Sequence, residues 1–365
     1  MLEIDLNKIQ DNANFMINLC KKNNISVAGV VKCVNAQPDI TNTLIDCGCE
    51  YISSSRIEQL LNTKNNNQNI QTMLIRMPMK NEIEQVIQSV DVSLNSELDT
   101  IISLNNEAMN QNKIHKVILM IDLGDLREGI IDEETAVKTS QYIETKLKNI
   151  KLYGVGTNLG CYGAIKPSVK NLNKLCEIAQ KIEKEIGRQL DIISGGATTT
   201  LPLLLDGILP PRINNLRIGE AIIVGRDLID HWGYELNKTH KDTMILYAEV
   251  VEIKDKPSHP IGEMFLDALG NKPKFEDKGI RKKALLAVGK QDFGDDKDLV
   301  CLDKDIEILG SSSDHLILDI TDSKIEYEVG DIISFGMFYS NVLYLNLSEY
   351  VNKKYKKIKI KVENT

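Results

Sequence analysis

The sequence lacks the features that mark membrane, secreted and zinc-stabilised proteins. No apolar run approaches the roughly 18 residues of a membrane span, and the opening Met-Leu-Glu-Ile-Asp-Leu has neither the basic nor the apolar region of a secretory signal. The seven cysteines are an odd number, and Cys47-Gly-Cys49 is too closely spaced for a zinc site. We therefore expect a cytoplasmic protein with reduced thiols, without membrane association, bound metal or a disulfide framework.

The charge and length of the chain narrow the choice of partner and architecture. A formal net charge of -8 argues against nucleic acid as the principal partner, because that partner favours basic surfaces. A small molecule is the expected ligand. At 365 residues, the chain exceeds what a single hydrophobic core usually supports, so we expect two domains.

The first 230 or so residues alternate short apolar runs with stretches of helical periodicity. The apolar runs predict strands over residues 27–34, 51–53, 72–76, 90–94, 116–123, 152–157, 190–193 and 216–218. The stretches between them predict helices over residues 6–22, 57–63, 82–89, 97–111, 133–148 and 169–186. Eight strands separated by helices favour a closed, TIM-like (β/α)8 barrel, an α/β fold, over an open doubly wound sheet. The active site of such a barrel lies at the carboxyl ends of its strands.

The pattern changes after Trp232, where short strand-like runs are separated by turn signals. These runs are residues 246–253, 284–288, 299–302, 306–309, 315–320, 332–335 and 341–347. We predict a barrel domain over 1–232 and a C-terminal β domain over 233–365. The lysine-rich stretch 353–359 is interpreted as a solvated edge strand or tail.

Lys32 is out of place in the apolar run 26–34, which otherwise consists of small and β-branched residues and one cysteine. Burying an unpaired ammonium group costs several kcal/mol, so a buried lysine tends to lose its proton. A neutral lysine amine attacks carbonyl groups, and Schiff-base lysines arise in this way. The alternative is that Lys32 lies at a strand end and extends its ammonium group to water.

Three further segments of the predicted barrel carry chemically capable residues just after strands. They are 123–129, which presents an arginine, 194–200, which offers glycines and hydroxyls, and 216–222, which contains a second arginine. Hydroxyls and free backbone N–H groups at such turns bind phosphate. Each segment alone also fits an ordinary turn or a surface ion pair. Together they predict a phosphate-bearing cofactor.

In order along the chain, the motifs are Val-Val-Lys32, Asp-Leu-Gly-Asp-Leu-Arg127-Glu-Gly, Gly-Thr-Asn158-Leu-Gly, Ser-Gly-Gly-Ala-Thr198-Thr-Thr-Leu-Pro and Asn-Leu-Arg217-Ile-Gly-Glu. This series resembles the alanine racemase family of fold-type III pyridoxal 5'-phosphate (PLP) enzymes, most closely the branch acting on alanine and ornithine. The resemblance covers nearly the whole chain. It implies PLP as cofactor and a head-to-tail homodimer in which each active site takes residues from the partner's β domain.

The resemblance also implies roles for the basic residues. Lys32 would be the Schiff-base lysine and Arg217 would face the pyridine nitrogen, while Arg127 would lie near the cofactor hydroxyl and the substrate carboxylate. Because an arginine does not give up its proton, Arg217 would keep that nitrogen unprotonated and limit the electron-withdrawing capacity of the ring.

The remaining cofactor contacts implied by the resemblance involve the phosphate and the ring. Thr198, with the backbone of Gly219 and Glu220, would hold the phosphate. Tyr339 of the β domain matches a phosphate-contacting tyrosine. Asn158 falls where alanine racemases place a histidine against the cofactor ring.

Racemisation usually needs an acid/base group on each face of Cα. In the segment that would supply the second group, this chain departs from the family pattern. Alanine racemases carry a tyrosine in a turn of the β domain where this chain has Val-Gly-Lys290-Gln-Asp292-Phe-Gly. Lys290 is the first candidate, and Asp292 or a residue of 311–315 is an alternative. An ordinary polar turn, with a single-base enzyme that uses water or the substrate's own groups, also fits.

Ser313 and Asp314 fall on the turn of the β domain that reaches the partner's active site in this superfamily. Asp314 would be a suitable partner for the distal ammonium of ornithine or lysine, although a structural role fits equally. We expect an amino-acid substrate and a PLP-dependent racemase, most strongly for ornithine. The alternatives are an alanine or lysine racemase, a PLP-dependent decarboxylase or lyase, and a non-catalytic PLP-binding protein.

Overall fold

The computed structural model describes residues 1–267, 270 and 272–356. The chain divides into two compact units. The barrel unit is Lys8–His240, and the second unit combines Met1–Asn7 with the chain from Lys241 onward. The predicted boundaries, 1–232 and 233–365, remain a prediction. The compact units differ from them in assigning strand β1 (Leu2–Asp5) to the second unit.

Eight parallel strands close the barrel, which confirms the predicted fold class. They are β2 (Ser26–Val30), β3 (Tyr51–Ser54), β4 (Gln71–Leu74), β5 (Val92–Asn95), β6 (His115–Met120), β7 (Ile150–Gly156), β8 (Ile192–Ser194) and β9 (Asn215–Ile218). The barrel closes where β2 pairs with β9, with Gly29 opposite Ile218. Each predicted strand overlaps an observed one. The clearest difference is in β2, which ends at Val30 rather than at residue 34.

Helices follow the strands around the barrel. They are α1 (Leu6–Lys22), α2 (Pro38–Asp46), α3 (Ile57–Asn66), α4 (Ile83–Ser89), α5 (Leu98–Asn110), α6 (Glu133–Lys146), α7 (Val169–Ile186), α8 (Leu201–Leu205) and α9 (Glu220–Ile223). The ends of α7 follow from its sequence, since the Ser168 hydroxyl accepts the Asn171 N–H and Gly187 ends the helix at φ 73°. Among the described residues, the structure contains no helix with both the length and the apolar character needed to cross a membrane.

Packed side chains fill the inside of the barrel. Ala28, Tyr51, Met73, Val92, Leu94, Ile118, Met120 and Ile192 form one buried cluster contributed by six strands. These strands are buried on both faces, which explains their nearly continuous apolar runs. Because the interior is filled, a ligand can bind only at an end of the barrel, where the strand-end motifs lie.

The second unit is built on a mostly antiparallel sheet, as the resemblance implied. Its further strands are β10 (Met244–Pro257), β11 (Ile280–Leu286), β12 (Leu299–Cys301), β13 (Glu307–Ser311), β14 (Leu316–Asp319), β15 (Ile332–Met337) and β16 (Lys353–Lys356). The main order is β12-β15-β10-β11-β14-β13. Strand β1 pairs antiparallel with β10 and parallel with β16. The lysine-rich stretch is therefore a strand over Lys353–Lys356, and residues 357–359 lie outside the described part of the chain.

The strand predicted over residues 341–347 is wrong, because this segment is helix α11 (Tyr339–Leu347). Its apolar residues form a short continuous run, 342–345, which is also typical of a buried strand. Its buried positions are nevertheless Asn341, Val342, Leu345 and Asn346, a spacing that places them on one face of a helix. A second helix, α10 (Lys290–Phe293), forms in the polar stretch for which the sequence allowed either a catalytic role or an ordinary turn.

Candidate active site

Lys32 lies two residues beyond the end of β2, where it begins a single 3-10 turn, Lys32–Val34. The residues on either side, Val31 and Cys33, are fully buried, whereas Lys32 is half-buried. Burial is the main cause that lowers the pKa of Lys32, and the charges of Arg127 and Arg217 lower it further. The lysine is therefore biased toward the neutral amine that a carbonyl-attacking group requires.

Arg217 lies on β9 with only 4% of its surface exposed. Its Nη1 donates a hydrogen bond to the Ser194 hydroxyl at 2.6 Å, and its Nη2 donates to the Thr157 carbonyl at 2.8 Å. Burial lowers the pKa of Arg217 to about 10, with Glu128 opposing and Arg127 adding to the effect. The guanidinium is thus a cation at neutral pH, fixed by the ends of the two preceding strands.

Thr198 and Gly219 form a small polar cradle at the ends of β8 and β9. The Thr198 hydroxyl oxygen accepts a hydrogen bond from the Ala221 N–H at 3.3 Å, so its own hydrogen remains available for an acceptor. A Cβ atom at Gly219 would come within 3.1 Å of the Val30 carbonyl oxygen. A side chain there would crowd the cradle, which explains why a glycine suits this position.

The Glu220 side chain supports the segment that follows β9. Its Oε1 accepts the backbone N–H groups of Arg226 and Asp227 at 2.9 and 3.1 Å. Its Oε2 is buried and has no hydrogen-bond partner among the described residues. Burial and the charge of Asp227 raise the pKa of Glu220 to about 7. The resemblance assigned a role only to the backbone of Glu220. Its side chain has a different role, which is to hold the backbone of Arg226 and Asp227.

Arg127 lies in the loop after β6, and the carboxylate beside it is part of the same charged group. Arg127 Nη2 donates to Glu128 Oε1 at 2.6 Å, and its Nε forms an ion pair with Glu128 Oε2. The side chain of Glu128 is 14% exposed, against 41% for Arg127. The structure therefore brings Lys32, Arg127 and Arg217 into one electrostatically coupled group, with Glu128 as a carboxylate among them.

Asp125 connects the Arg127 loop to the loop that carries Asn158. Its carboxylate is 2% exposed and accepts the backbone N–H groups of Gly160, Cys161, Tyr162 and Ile165 at 3.0 to 3.3 Å. Burial alone would raise the pKa of Asp125, but the hydrogen bonds outweigh it and the pKa is lowered. Half-buried Asn158 is thus held on a loop anchored to the loop of Arg127.

Sequence reasoning did not assign roles to Asp125 and Glu128, although both fall within a quoted motif. The available signal was the density of carboxylates, since Asp122, Asp125 and Glu128 occur at intervals of three within one strand-end loop. Asp122 shapes that loop, because its Oδ1 accepts the N–H groups of Gly124 and Leu126. Three acids beside one arginine indicate a loop fixed by its own side-chain hydrogen bonds rather than a turn exposed to solvent.

Within the second unit, Lys290 begins helix α10, and its Nζ lies 3.8 Å from Asp296 Oδ2. Asp292 is different, because it is only 8% exposed and accepts the Gly289 N–H at 3.2 Å and the Ser348 hydroxyl at 3.0 Å. These contacts give Asp292 a structural task. Of the two acid/base candidates in this segment, Lys290 is the more accessible.

Ser313 and Asp314 are exposed on the turn between β13 and β14, directly beside α10. The Gln291 N–H donates to the Ser313 carbonyl at 3.2 Å, and Gln291 Nε2 donates to Asp314 Oδ1 at 2.7 Å. The second unit therefore places the Lys290 segment and Asp314 on neighbouring turns. Tyr339 is the first residue of α11 and is half-buried.

In the part of the chain that the structure describes, no group of three or more His, Cys, Asp or Glu residues is arranged to hold a metal ion. The chemistry-bearing residues of the barrel unit are instead a lysine, two arginines and hydroxyls at the carboxyl ends of the strands. Together they define a (β/α)8-barrel protein with two arginines near a lysine of lowered pKa at the carboxyl ends of its strands.

Comparisons with known proteins agree with this class. The sequence pattern of the family described as "Alanine racemase, N-terminal domain" matches residues 4–227. The chain belongs to this family. It is 46% identical over 352 residues to the ornithine racemase of Acetoanaerobium sticklandii, covering 96% of this chain and 98% of that protein. It is 37% identical over 354 residues to the lysine racemase of Thermotoga maritima, covering 97% and 98%.

Solved structures show the same fold at lower sequence identity. An alanine racemase from Clostridium difficile 630 superposes with a TM-score of 0.71 at 20% identity, covering 97% of this chain and 95% of that chain. A D-threonine aldolase from Filomicrobium marinum also gives 0.71, at 13% identity, covering 94% and 88%. At these identities the similarity concerns the fold, which carries different chemistries in these two proteins.

Proposed function

We propose that this protein is a PLP-dependent racemase that interconverts L- and D-ornithine. The observation that carries the proposal is the position of Lys32, just beyond the first barrel strand, where the charges of Arg127 and Arg217 help to lower its pKa. The identity of 46% over nearly the whole chain with a protein named ornithine racemase supports the choice of substrate. Lysine is the second candidate substrate, because the lysine racemase is 37% identical.

The charged and polar residues around Lys32 fit the charge of PLP. The two arginines near Lys32 are accompanied by the carboxylate of Glu128, and their positive charge attracts an anion such as a phosphate group. The Thr198 hydroxyl has a hydrogen to donate, and Gly219 leaves room for a close approach. We propose that these two residues and the Glu220 backbone hold the phosphate. Arg217, Asn158 and Tyr339 would be further cofactor contacts, as the family resemblance implies.

When bound, PLP withdraws electrons from the substrate and thereby acidifies the hydrogen on Cα. The amine of Lys32 would take up or deliver the proton on one face of Cα, a role that its lowered pKa supports. Arg217 stays protonated and fixed between Ser194 and Thr157, so a ring nitrogen facing it would gain no proton. Arg127 would bind the substrate carboxylate.

For the opposite face of Cα we propose Lys290, supplied by the partner subunit of a head-to-tail dimer. Its half-exposed position at the start of α10 supports this role. Asp314, on the neighbouring turn, would bind the distal ammonium of the substrate, with Ser313 beside it. The dimer is proposed from the family resemblance. A reducing, cytoplasmic location is also a proposal, and the seven free thiols fit it.

The test is to reconstitute the purified protein with PLP and follow the optical rotation of L-ornithine, L-lysine and L-alanine, each supplied alone. We expect ornithine to racemise fastest and Lys32→Ala to abolish both visible absorbance of the bound cofactor and turnover. Lys138→Ala, at an exposed position of α6, is the matched control and should behave as the wild type. Release of carbon dioxide or of an aldehyde would instead indicate a decarboxylase or a lyase. A protein that does not bind PLP would contradict the proposal.

A further inference from the structure

Arg127 presents two edges, each able to bind a carboxylate through two parallel hydrogen bonds. One edge consists of Nε and Nη2, and the other of Nη1 and the second hydrogen of Nη2. In the structure, both oxygens of Glu128 lie on the Nε/Nη2 edge, with the Nη2 to Oε1 distance at 2.6 Å. This contact leaves the Nη1/Nη2 edge for another anion.

Glu128 is held in this place by its surroundings. Its side chain is 14% exposed, and burial raises its pKa, while Arg127 and Arg217 counteract that shift. The loop around it has little freedom, because Asp122 accepts two of the loop N–H groups and Gly129, at φ 125°, lies against the Asp122 backbone. A carboxylate on a constrained loop can fix the orientation of the guanidinium it contacts.

We propose that Glu128 is a positioning residue, which holds one edge of Arg127 so that the other edge receives the carboxylate group of the amino-acid substrate. The inference rests on the proposed function, in which Arg127 binds that carboxylate. Glu128 also offsets part of the positive charge of Arg127 and Arg217. This role differs from direct recognition of the substrate's distal ammonium, since both Glu128 oxygens are engaged by Arg127.

The test compares Glu128→Gln, Arg127→Gln and the double variant with Glu134→Gln as the matched control. Glu134 is 74% exposed and pairs with Lys138 on the surface of the same unit. Steady-state rates are measured on L-ornithine and on L-norvaline, which has the same carbon chain without the distal ammonium. Binding of pentanoate, a carboxylate without an amino group, is measured on each PLP-loaded protein by calorimetry.

We expect Glu128→Gln to raise KM for both substrates, and Kd for pentanoate, by about tenfold or more, the loss of one charge-assisted contact. The value of kcat should change much less. In the Arg127→Gln background, the second substitution should add little, because Glu128 acts through Arg127. The Glu134→Gln protein should match the wild type. If Glu128→Gln does not fold, Glu128→Asp, whose shorter side chain cannot reach the same edge, should show the same rise in Kd.

An unchanged Kd for pentanoate in Glu128→Gln would overturn the inference. So would a loss confined to ornithine, which would mean that Glu128 contacts the distal ammonium, or an undiminished effect in the double variant. Pentanoate binding requires no turnover. The wild-type protein could bind pentanoate in a way that depends on Arg127 and Glu128 and yet fail to racemise ornithine. That result would contradict the proposed function and not the role of Glu128.

Discussion

Gln59 donates a hydrogen bond from its side-chain Nε2 to Asn35 Oδ1, 2.9 Å away. Asn35 lies three residues after Lys32 and has a left-handed backbone, with φ 51°. The other end of the Gln59 amide accepts the Ser54 hydroxyl at 2.5 Å. The turn of Lys32 is thereby tied to the end of the next barrel strand and to helix α3, so the position of the lysine depends on a residue remote in sequence.

Replacing Gln59 by leucine should destabilise the barrel unit and loosen the turn of Lys32. The substitution removes a largely buried amide, so the buried Ser54 hydroxyl loses its acceptor and Asn35 loses its donor, which costs about 1–3 kcal/mol. Urea unfolding followed by circular dichroism measures the change. Gln68→Leu, at an exposed position, is the control and should leave the midpoint unchanged. Equal midpoints for the two variants would contradict the role given to Gln59.

Replacing Asp125 by asparagine should remove a pH-dependent part of the stability. Because the folded pKa of Asp125 is lowered, its carboxylate stabilises the fold above the unfolded value of about 3.9, and this contribution is lost as the pH falls through the folded pKa. The difference in unfolding free energy between wild type and Asp125→Asn should therefore be largest near neutral pH and shrink in acid. Asp46→Asn, at an exposed position, is the control. A difference that is constant across pH would contradict this account.

The strands of the barrel could be predicted because burial on both faces leaves continuous apolar runs, and Lys32 stood out as an exception within one of them. Helix α11 could not, since its short apolar run is equally typical of a strand and only the packed structure shows which of its residues are buried. Strand β1 was missed because its partners lie in β10 and β16, far away in sequence.

The supporting residues of the site were also beyond prediction. Asp125 binds N–H groups 35 to 40 positions further along the chain, and Gln59 reaches back 24 positions to Asn35. Such contacts depend on how two loops meet in space, which no local pattern encodes.

Replacing Arg217 by glutamine should shift the titration of Lys32 to higher pH. Arg217 is one of two arginines whose charge lowers the pKa of Lys32, so its loss raises that pKa and delays formation of the neutral amine. The pH dependence of the rate at which PLP reacts with Lys32 measures the shift. Arg212→Gln, which removes a surface partner of Glu183, serves as the control. An unchanged pH midpoint in Arg217→Gln would show that the two charges are not coupled.

Replacing Gly129 by alanine should cost more stability than the same change at Gly187. Both glycines have positive φ, at 125° and 73°. A Cβ at Gly187 meets nothing within 4 Å, whereas at Gly129 it would lie 2.5 Å from the Asp122 backbone nitrogen. Gly187→Ala should cost about 1 kcal/mol for backbone strain alone, and Gly129→Ala clearly more. Comparison of the urea midpoints tests this, and equal losses would contradict the close approach.

Replacing Lys290 by glutamine should make Cα hydrogen exchange one-sided. If Lys32 serves one face and Lys290 the other, the variant should incorporate deuterium from heavy water into one enantiomer of ornithine while exchange of the other falls sharply. Mass spectrometry of each separated enantiomer measures this. Lys297→Gln, an exposed lysine near Lys290, is the control. Exchange that falls equally for both enantiomers, or for neither, would remove Lys290 from the reaction.

The placement of β1 has a consequence for how the chain folds during synthesis. Residues 2–5 are synthesised before the barrel strands, yet their partners β10 and β16 are made hundreds of residues later. The barrel strands, at residues 26 to 218, are complete well before then. Domains generally fold as they emerge from the ribosome. We therefore expect the barrel unit to form first, while β1 stays unpaired until β10 and β16 have been synthesised. A bulky fusion ahead of Met1 would then disturb the last step of folding, in the second unit, rather than the barrel.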